Sequence, residues 1–210
     1  MRVLGVDPAA AGPTGYGIVE SDGRCCRMLH YGALKMGAKP RMTGSGGALQ
    51  DVHELICGLI KDFSPDVLAI ESVFSALNVR TALRLAEVRG VVLLAAAQHG
   101  LEVHSYAPRE VKANIAGHGH ADKRQMQTMV RALLSMNVIP EPADAADALA
   151  VALCHLQAER VRLRLGLPHH KDAARSALVA RKAADSANAM PAMQIGSATR
   201  TRLPRILTTR

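Results

Sequence analysis

Four carboxylate residues are spaced so that their side chains could act together on one cation-dependent reaction. Asp7 and Glu71 each end a short apolar run, while Asp144 and Asp147 lie three residues apart on one predicted helix face. Acids that share a pocket repel one another unless a cation neutralises them. Oxygen ligands without His or Cys favour Mg²⁺ or Mn²⁺. The pattern predicts metal-assisted cleavage of a phosphodiester.

The pair Asp144 and Asp147 has a simpler interpretation when it is considered alone. Acids in the first turns of a helix are stabilised by the helix dipole and need no ligand. However, Asp7 and Glu71 end two separate strands, and the carboxyl ends of strands form the rim where open α/β sheets bind ligands. We therefore prefer the metal-site interpretation for all four acids.

A sheet with helices on its faces is needed to bring these acids together. The periodicity of apolar residues predicts an α/β fold with a mixed five-stranded sheet flanked by helices. The strands are expected at 3–7, 15–20, 27–35, 67–71 and 102–106. The helices are expected at 49–63, 78–99, 108–115, 122–136 and 143–164.

The composition is that of a domain with an aliphatic core. Of the 210 residues, 49% are hydrophobic but only 2% are aromatic. No apolar stretch reaches the roughly 20 residues that a membrane span requires, and the first strand leaves no room for a signal peptide. The four cysteines show no CxxC spacing, which disfavours a zinc site or a disulfide scaffold. These features predict a cytoplasmic protein without a membrane segment.

The net charge of +8 is unevenly distributed along the chain. Residues 160–210 contain eleven Lys and Arg against two acids, which leaves fifteen basic and sixteen acidic residues in 1–159. The C-terminal part also lacks a sustained apolar period, as disordered segments do. We predict a nuclease domain over 1–165 and a basic, disordered tail over 166–210.

Seven short motifs, taken in order, resemble the RuvC-type Holliday junction resolvases of the RNase H-like nuclease superfamily. They are found at 4–8, 14–17, 69–74, 82–91, 105–112, 117–123 and 143–150. The resemblance implies an RNase H-like fold and a homodimeric endonuclease of DNA recombination and repair. It also implies symmetric, Mg²⁺-dependent nicks in four-way DNA junctions, and partnership with the RuvA and RuvB branch-migration proteins.

The resemblance also suggests roles for individual residues. Asp7, Glu71, Asp144 and Asp147 match the acidic tetrad, which implies two Mg²⁺ ions per active site, with Mn²⁺ as a substitute. The positions that match DNA-contacting residues, or that are basic on the same helix, are Phe74, Arg80, Arg84, Arg89, Lys112 and Lys123. For the basic residues a solvated surface is the alternative interpretation, and for Phe74 it is core packing. His155 lies eight residues after Asp147 and could support the acids or belong to the core.

Two departures from the family pattern leave other functions open. Ala9 stands where the family has a glycine after Asp7-Pro8, and Glu87 adds a negative charge on a predicted DNA-facing or dimer surface. One alternative is a catalytically impaired junction-binding protein. The other is a related RNase H-like nuclease that acts on different nucleic-acid structures.

Overall fold

Five strands form one mixed sheet in the computed structural model, which describes residues 1–10, 12–35, 45–72 and 78–167. The strands are β1 (Arg2–Asp7), β2 (Thr14–Ser21), β3 (Cys26–Leu34), β4 (Val67–Glu71) and β5 (Glu102–Tyr106). The first three are antiparallel, whereas β4 and β5 continue the sheet in parallel with β1. The strand order β3-β2-β1-β4-β5 places β1 at the centre, and the predicted mixed five-stranded sheet is confirmed.

Helices cover both faces of this sheet. They are α1 (Ser45–Phe63), α2 (Val79–Gln98), α3 (Pro108–Ala116), α4 (Lys123–Leu133) and α5 (Ala143–Arg164). On one face, Leu4 and Ile70 pack with apolar side chains of α1 and α2. On the other face, Val3 and Ala69 pack with side chains of α3, α4 and α5. Since alternate residues of a strand point to opposite faces, the two cores explain why β1 and β4 are apolar on both faces.

Two helix boundaries differ by more than one residue from those expected from the sequence. Helix α1 begins at Ser45, four residues before the first apolar residue of its buried stripe, Leu49. Helix α4 ends at Leu133 rather than at residue 136, because Ser135 adopts a left-handed φ of 51° that a continuing helix excludes. The apolar periodicity continues through Leu134 and Met136, so it predicts a longer helix than the one present.

Helix α5 lies unusually close to the sheet. A Cβ atom added at Gly15 would collide with the carbonyl group of Asp144, and one added at Gly5 would collide with that of Ala148. Small residues on the helix match these glycines, since Ala145 and Ala148 are fully buried. The glycines therefore allow the backbone of α5 to rest directly on β1 and β2.

The described residues all fall within one compact unit, Met1–His170. None of the helices in these ranges is long and apolar enough to cross a membrane. Residues 168–210 lie outside the described ranges, so the basic tail predicted from residue 166 stays a prediction.

Candidate active site

Asp7 and Glu71 end neighbouring strands at the same edge of the sheet. Strands β1 and β4 are parallel, and Val6 pairs with Ile70, so the two acids follow in register. Residues two apart in a strand point to the same face, so Asp7 shares a face with Val3, and Glu71 shares a face with Ala69. Both acids therefore leave the sheet on the face that α5 covers. A hydrogen bond joins the two carboxyl groups. The predicted meeting of the two strand-ending acids is present in the structure.

Asp144 and Asp147 approach the same edge from the start of α5. Asp144 lies in the first helical turn, where its backbone rests on Gly15 of β2, and Gly15 in turn pairs with Asp7. Both acids are partly buried. The close packing of α5 on β2 therefore places the helix acids beside the strand acids.

Burial and neighbouring charges perturb two of the four acids, Asp7 and Asp147. Burial raises the pKa of Asp7 to about 9, and the hydrogen bond to Glu71 and the charges of Glu71, Asp147 and Asp144 add to this rise. Burial also raises the pKa of Asp147 to about 6, although the nearby Lys123 partly opposes the shift. Carboxyl groups held in this way favour either a proton or a cation among them.

Two lysines lie beside the acids. The Nζ atom of Lys123 is 3.9 Å from Asp147 Oδ2, and Lys112 also lowers the pKa of Asp147. Glu71, Asp147 and the two lysines line one cavity of about 120 Å³. Helix α4 begins at Lys123 because Asp122 and Gln125 form a reciprocal capping box. The structure thus brings both predicted lysines to the acidic cluster.

The donor set has the chemistry that a hard cation requires. All four candidate ligands are carboxylates, and the cluster is partly withdrawn from water. Across the described ranges, however, no three His, Cys, Asp or Glu side chains already form a group that could hold an ion. The hydrogen bond between Asp7 and Glu71 uses oxygen atoms that would serve as ligands. The four carboxylates therefore fit a hard cation by ligand type.

The three arginines of α2 lie in different environments. Arg80 and Arg84 are exposed near the start of the helix. Arg89 is partly buried, and its guanidinium donates to Ser105 Oγ at 2.8 Å and to the carbonyl group of Glu71 at 3.4 Å. Arg89 therefore holds the ends of β4 and β5, a contact that the sequence pattern did not indicate. Phe74 lies outside the described residues.

Other residues that shape the site were not singled out from the sequence. Gly5 and Gly15 set the height of α5 above the sheet. Glycines in the interior of a strand mark close approach of another backbone, so their presence in β1 and β2 was a usable signal. Tyr106, which pairs with Glu71 in the parallel ladder, is buried against His155 of α5.

Comparisons with known proteins agree with this arrangement. A family model described as "Crossover junction endodeoxyribonuclease RuvC" matches residues 3–155. The protein of that name from Natranaerobius thermophilus is 42% identical over 165 residues, which cover 79% of this chain and 100% of the relative.

Solved structures show the same likeness. The structure of T. thermophilus RuvC in complex with a Holliday junction substrate matches with a TM-score of 0.71 and 33% identity, over 77% of this chain and 96% of that chain. The yeast mitochondrial Holliday junction resolvase Ydc2 has a TM-score of 0.55 at 15% identity, over 79% and 84% of the two chains, and shares the fold. The family match spans both strand-ending acids and the start of α5, and the chain therefore belongs to the RuvC family of crossover junction endodeoxyribonucleases.

Proposed function

We propose that the chain resolves four-way (Holliday) DNA junctions by paired, symmetric phosphodiester hydrolysis at the acidic cluster. The observation that carries the proposal is the convergence of Asp7, Glu71, Asp144 and Asp147 at one sheet edge in a chain of this family. The reaction would serve DNA recombination and repair. Mg²⁺ is the proposed cofactor, with two ions per site, and Mn²⁺ is the proposed substitute.

The proposed division of labour follows from the positions of the side chains. The four carboxylates would hold the cations, which supply activation of the attacking water and stabilisation of the leaving oxygen. Lys123 and Lys112 lie beside Asp147 and can stabilise the additional negative charge that develops on the phosphate. Arg80 and Arg84 project into solvent from the start of α2 and can contact DNA phosphates. Phe74 is proposed to stack on an unpaired base, on the basis of the family pattern alone.

The proposed homodimer requires a surface for the second subunit, and α2 offers one. Val79, Leu83 and Leu94 are 75%, 61% and 53% exposed and lie on one stripe of this helix. Gly90 lies on the same stripe with open space above it, which would let a second helix approach closely. Glu87 is also exposed there. An exposed apolar stripe of this kind is typical of an interface, and an isologous pairing would relate two sites by a two-fold axis.

Selection of a four-way junction would follow from this geometry. Two sites fixed by symmetry can act together only where two strands of like polarity are held at the matching separation. Partnership with the RuvA and RuvB branch-migration proteins is proposed on family membership alone.

Cleavage of labelled substrates by the wild-type chain tests the proposal. A four-way junction, a duplex of the same sequence and a single strand would each be incubated with Mg²⁺, Mn²⁺ or EDTA. We expect paired nicks in the junction, no comparable cutting of the two controls, and complete loss of activity in EDTA.

The two alternatives predict different outcomes in the same assay. Junction binding without cutting in either metal would indicate a catalytically impaired binding protein, and Ala9 would be the first position to change to glycine. Equal cutting of the controls, or of RNA-containing substrates, would indicate a nuclease with a different substrate. Either outcome would overturn the proposed function.

A further inference from the structure

A buried hydrogen bond connects the outermost parallel strand to the helix that carries two of the acids. Tyr106 Oη, at the end of β5, lies 2.7 Å from His155 Nδ1 in α5. His155 is fully buried and Tyr106 is 7% exposed. A buried polar group without a hydrogen-bond partner destabilises the folded state. The fold is therefore more stable when Tyr106 and His155 form this hydrogen bond than when they are separated.

Both ends of this hydrogen bond are linked to the acidic cluster. Tyr106 is the ladder partner of Glu71. The carbonyl group of Tyr106 accepts hydrogen bonds from the backbone N–H of Ser72 at 2.8 Å and from its hydroxyl group at 3.0 Å, which ties the ends of β4 and β5 together. His155 follows Asp144 by eleven residues, which is about three turns, so the two side chains lie on one stripe of α5.

The hydrogen bond belongs to a larger polar column along β5. The ring of His104 packs against that of His155 with centroids 4.8 Å apart. His104 Nε2 is in turn 3.1 Å from Glu102 Oε1. Glu102, His104 and Tyr106 are every second residue of β5, so all three lie on the face that α5 covers. Of these, Tyr106 and His104 contact His155 of the helix.

The rest of the surface that α5 turns toward the sheet is mainly apolar. Alanines of this surface rest on Gly5 and Gly15, and Leu149 and Leu153 of the same helix are buried in the apolar core. Apolar contacts of this kind are non-directional, so they favour burial of the helix without specifying hydrogen-bond geometry along its axis. At its start, Pro142 offers no side-chain cap. The hydrogen bond between Tyr106 and His155 adds a directional contact to this apolar packing.

We propose that Tyr106 and His155 are positioning residues, whose hydrogen bond fixes the axial position of α5 and so places Asp144 and Asp147 opposite Asp7 and Glu71. The proposal rests on the proposed function of the four acids as a metal centre. It assigns to the pair no contact with DNA and no part in proton transfer. Loss of the hydrogen bond should reduce metal affinity, because the helix acids would spend less time in the arrangement that binds a cation.

Binding of Mn²⁺ alone to the full chain tests the proposal without requiring DNA cleavage. Isothermal titration calorimetry would compare the wild type with Tyr106→Phe, which removes only the hydroxyl group. We expect Mn²⁺ binding to weaken by about 10-fold, the lower end of the effect of partners that orient metal ligands. The second pair of variants is His155→Leu, which removes the hydrogen-bonding partner of Tyr106, and His155→Asn, whose short amide places a polar atom near the position of Nδ1. We expect His155→Leu to weaken binding and His155→Asn to restore most of it.

A second tyrosine–histidine pair provides the matched control. Tyr16 Oη lies 3.4 Å from His30 Nε2 in a more exposed setting, and Tyr16 packs on the face of the sheet opposite α5. Tyr16→Phe is the same chemical change and should leave Mn²⁺ affinity unchanged. Thermal unfolding of every variant in EDTA separates loss of stability from loss of positioning, because a purely structural role would lower the melting temperature and leave the affinity of the folded protein unchanged.

Wild-type affinity in both Tyr106→Phe and His155→Leu would overturn the proposal, as would equal weakening in Tyr16→Phe. A wild-type chain that binds no Mn²⁺ would overturn it too, since there would be no metal centre to position. A wild type that binds Mn²⁺ but cuts no junction contradicts the proposed function, while the comparison of Mn²⁺ affinities still decides whether the pair positions the acids.

Discussion

Among single residues, Asp7 is the acid whose ionised form the fold disfavours most clearly. Burial and three neighbouring acids raise its pKa from 3.8 to about 9. A free aspartate in the unfolded chain titrates near 3.9, so the folded protein without a cation binds the Asp7 proton more tightly than the unfolded chain does. Function and stability oppose each other at this position.

A pH-dependent loss of stability should follow in the metal-free protein. Because the folded pKa of Asp7 is raised, its contribution is fully present below pH of about 4 and is lost as the pH rises through about 9. We expect Asp7→Asn to gain stability over the wild type in EDTA, and the gain to grow between these limits. Urea unfolding at several pH values measures this difference.

The matched control for that experiment is Asp62→Asn, at an exposed position of α1. Its stability relative to the wild type should change little over the same range. If Asp7→Asn were no more stable than the wild type at pH 8 in EDTA, the buried and protonated state of Asp7 would be excluded.

Lys123 should contribute to the cleavage rate through its charge. Its Nζ atom is 3.9 Å from Asp147, but its side chain is 69% exposed. Water screens such a charge, so the effect should be smaller than the 10²–10³-fold typical of a buried donor. We expect Lys123→Ala to reduce the single-turnover rate on a four-way junction by about 10- to 100-fold. Lys61→Ala, at an exposed position of α1, is the control and should cut at the wild-type rate.

Junction affinity should be measured beside the rate for both lysine variants. A loss of rate at saturating protein places the effect of Lys123 in the chemical step. Loss of affinity alone, with the same rate at saturation, would instead make Lys123 a phosphate contact without a role in the reaction.

At the scale of secondary structure, the closeness of α5 to β1 and β2 is what brings helix acids to strand acids. A methyl group at Gly15 would collide with the backbone of Asp144. We expect Gly15→Ala to cost about 1–3 kcal/mol of stability, as overpacking does, and to reduce cleavage because Asp144 is displaced from the cluster. Thermal unfolding and single-turnover cleavage measure the two effects.

Gly58→Ala is the control for that substitution. Gly58 lies within α1 and a Cβ atom there meets nothing within 4 Å, so alanine should stabilise the helix by about 0.5–1 kcal/mol. Wild-type stability and activity in Gly15→Ala would show that α5 can shift without consequence for the site.

The elements that bear the acids could be predicted because their signals are local. Strands β1 and β4 are short apolar runs that end in an acid, and both are found within one residue of the expected bounds. The predicted end of α4 was wrong because Ser135 adopts a left-handed conformation, which ends the helix although the apolar periodicity of the sequence continues beyond it. Backbone conformation at one serine has no periodic signature.

The details of the candidate site depend on contacts between distant residues, and these were less predictable. The pairing of Tyr106 with His155 requires the rotation and axial position of α5 on β5, which no local pattern encodes. Arg89 has the type and spacing of a phosphate contact, yet it donates to Ser105 and to the backbone of Glu71. The hydrogen-bonding partner of a long side chain depends on the tertiary packing around it.

At the scale of the whole molecule, the exposed stripe of α2 should control subunit pairing. Leu83 lies within this stripe and is 61% exposed. Leu83→Asp should convert the proposed dimer to a monomer in sedimentation velocity, because a charge would be buried at the interface. Leu165→Asp, which changes a 70% exposed leucine just beyond α5, should leave the mass unchanged. A Leu83→Asp protein with the mass of the wild type would place the interface elsewhere.

The proposed cleavage requires the four acids to act together as one metal-dependent cutting centre. The most direct measurement compares wild type and Asp7→Asn on a four-way junction with both candidate strands labelled, in Mg²⁺ and in EDTA, with junction binding measured in parallel. We predict paired cuts by the wild type in Mg²⁺ alone, and at least a 100-fold slower reaction in Asp7→Asn, with junction binding retained. Cutting that persists in EDTA, or in Asp7→Asn at the wild-type rate, would exclude the four acids as the metal-dependent cutting centre.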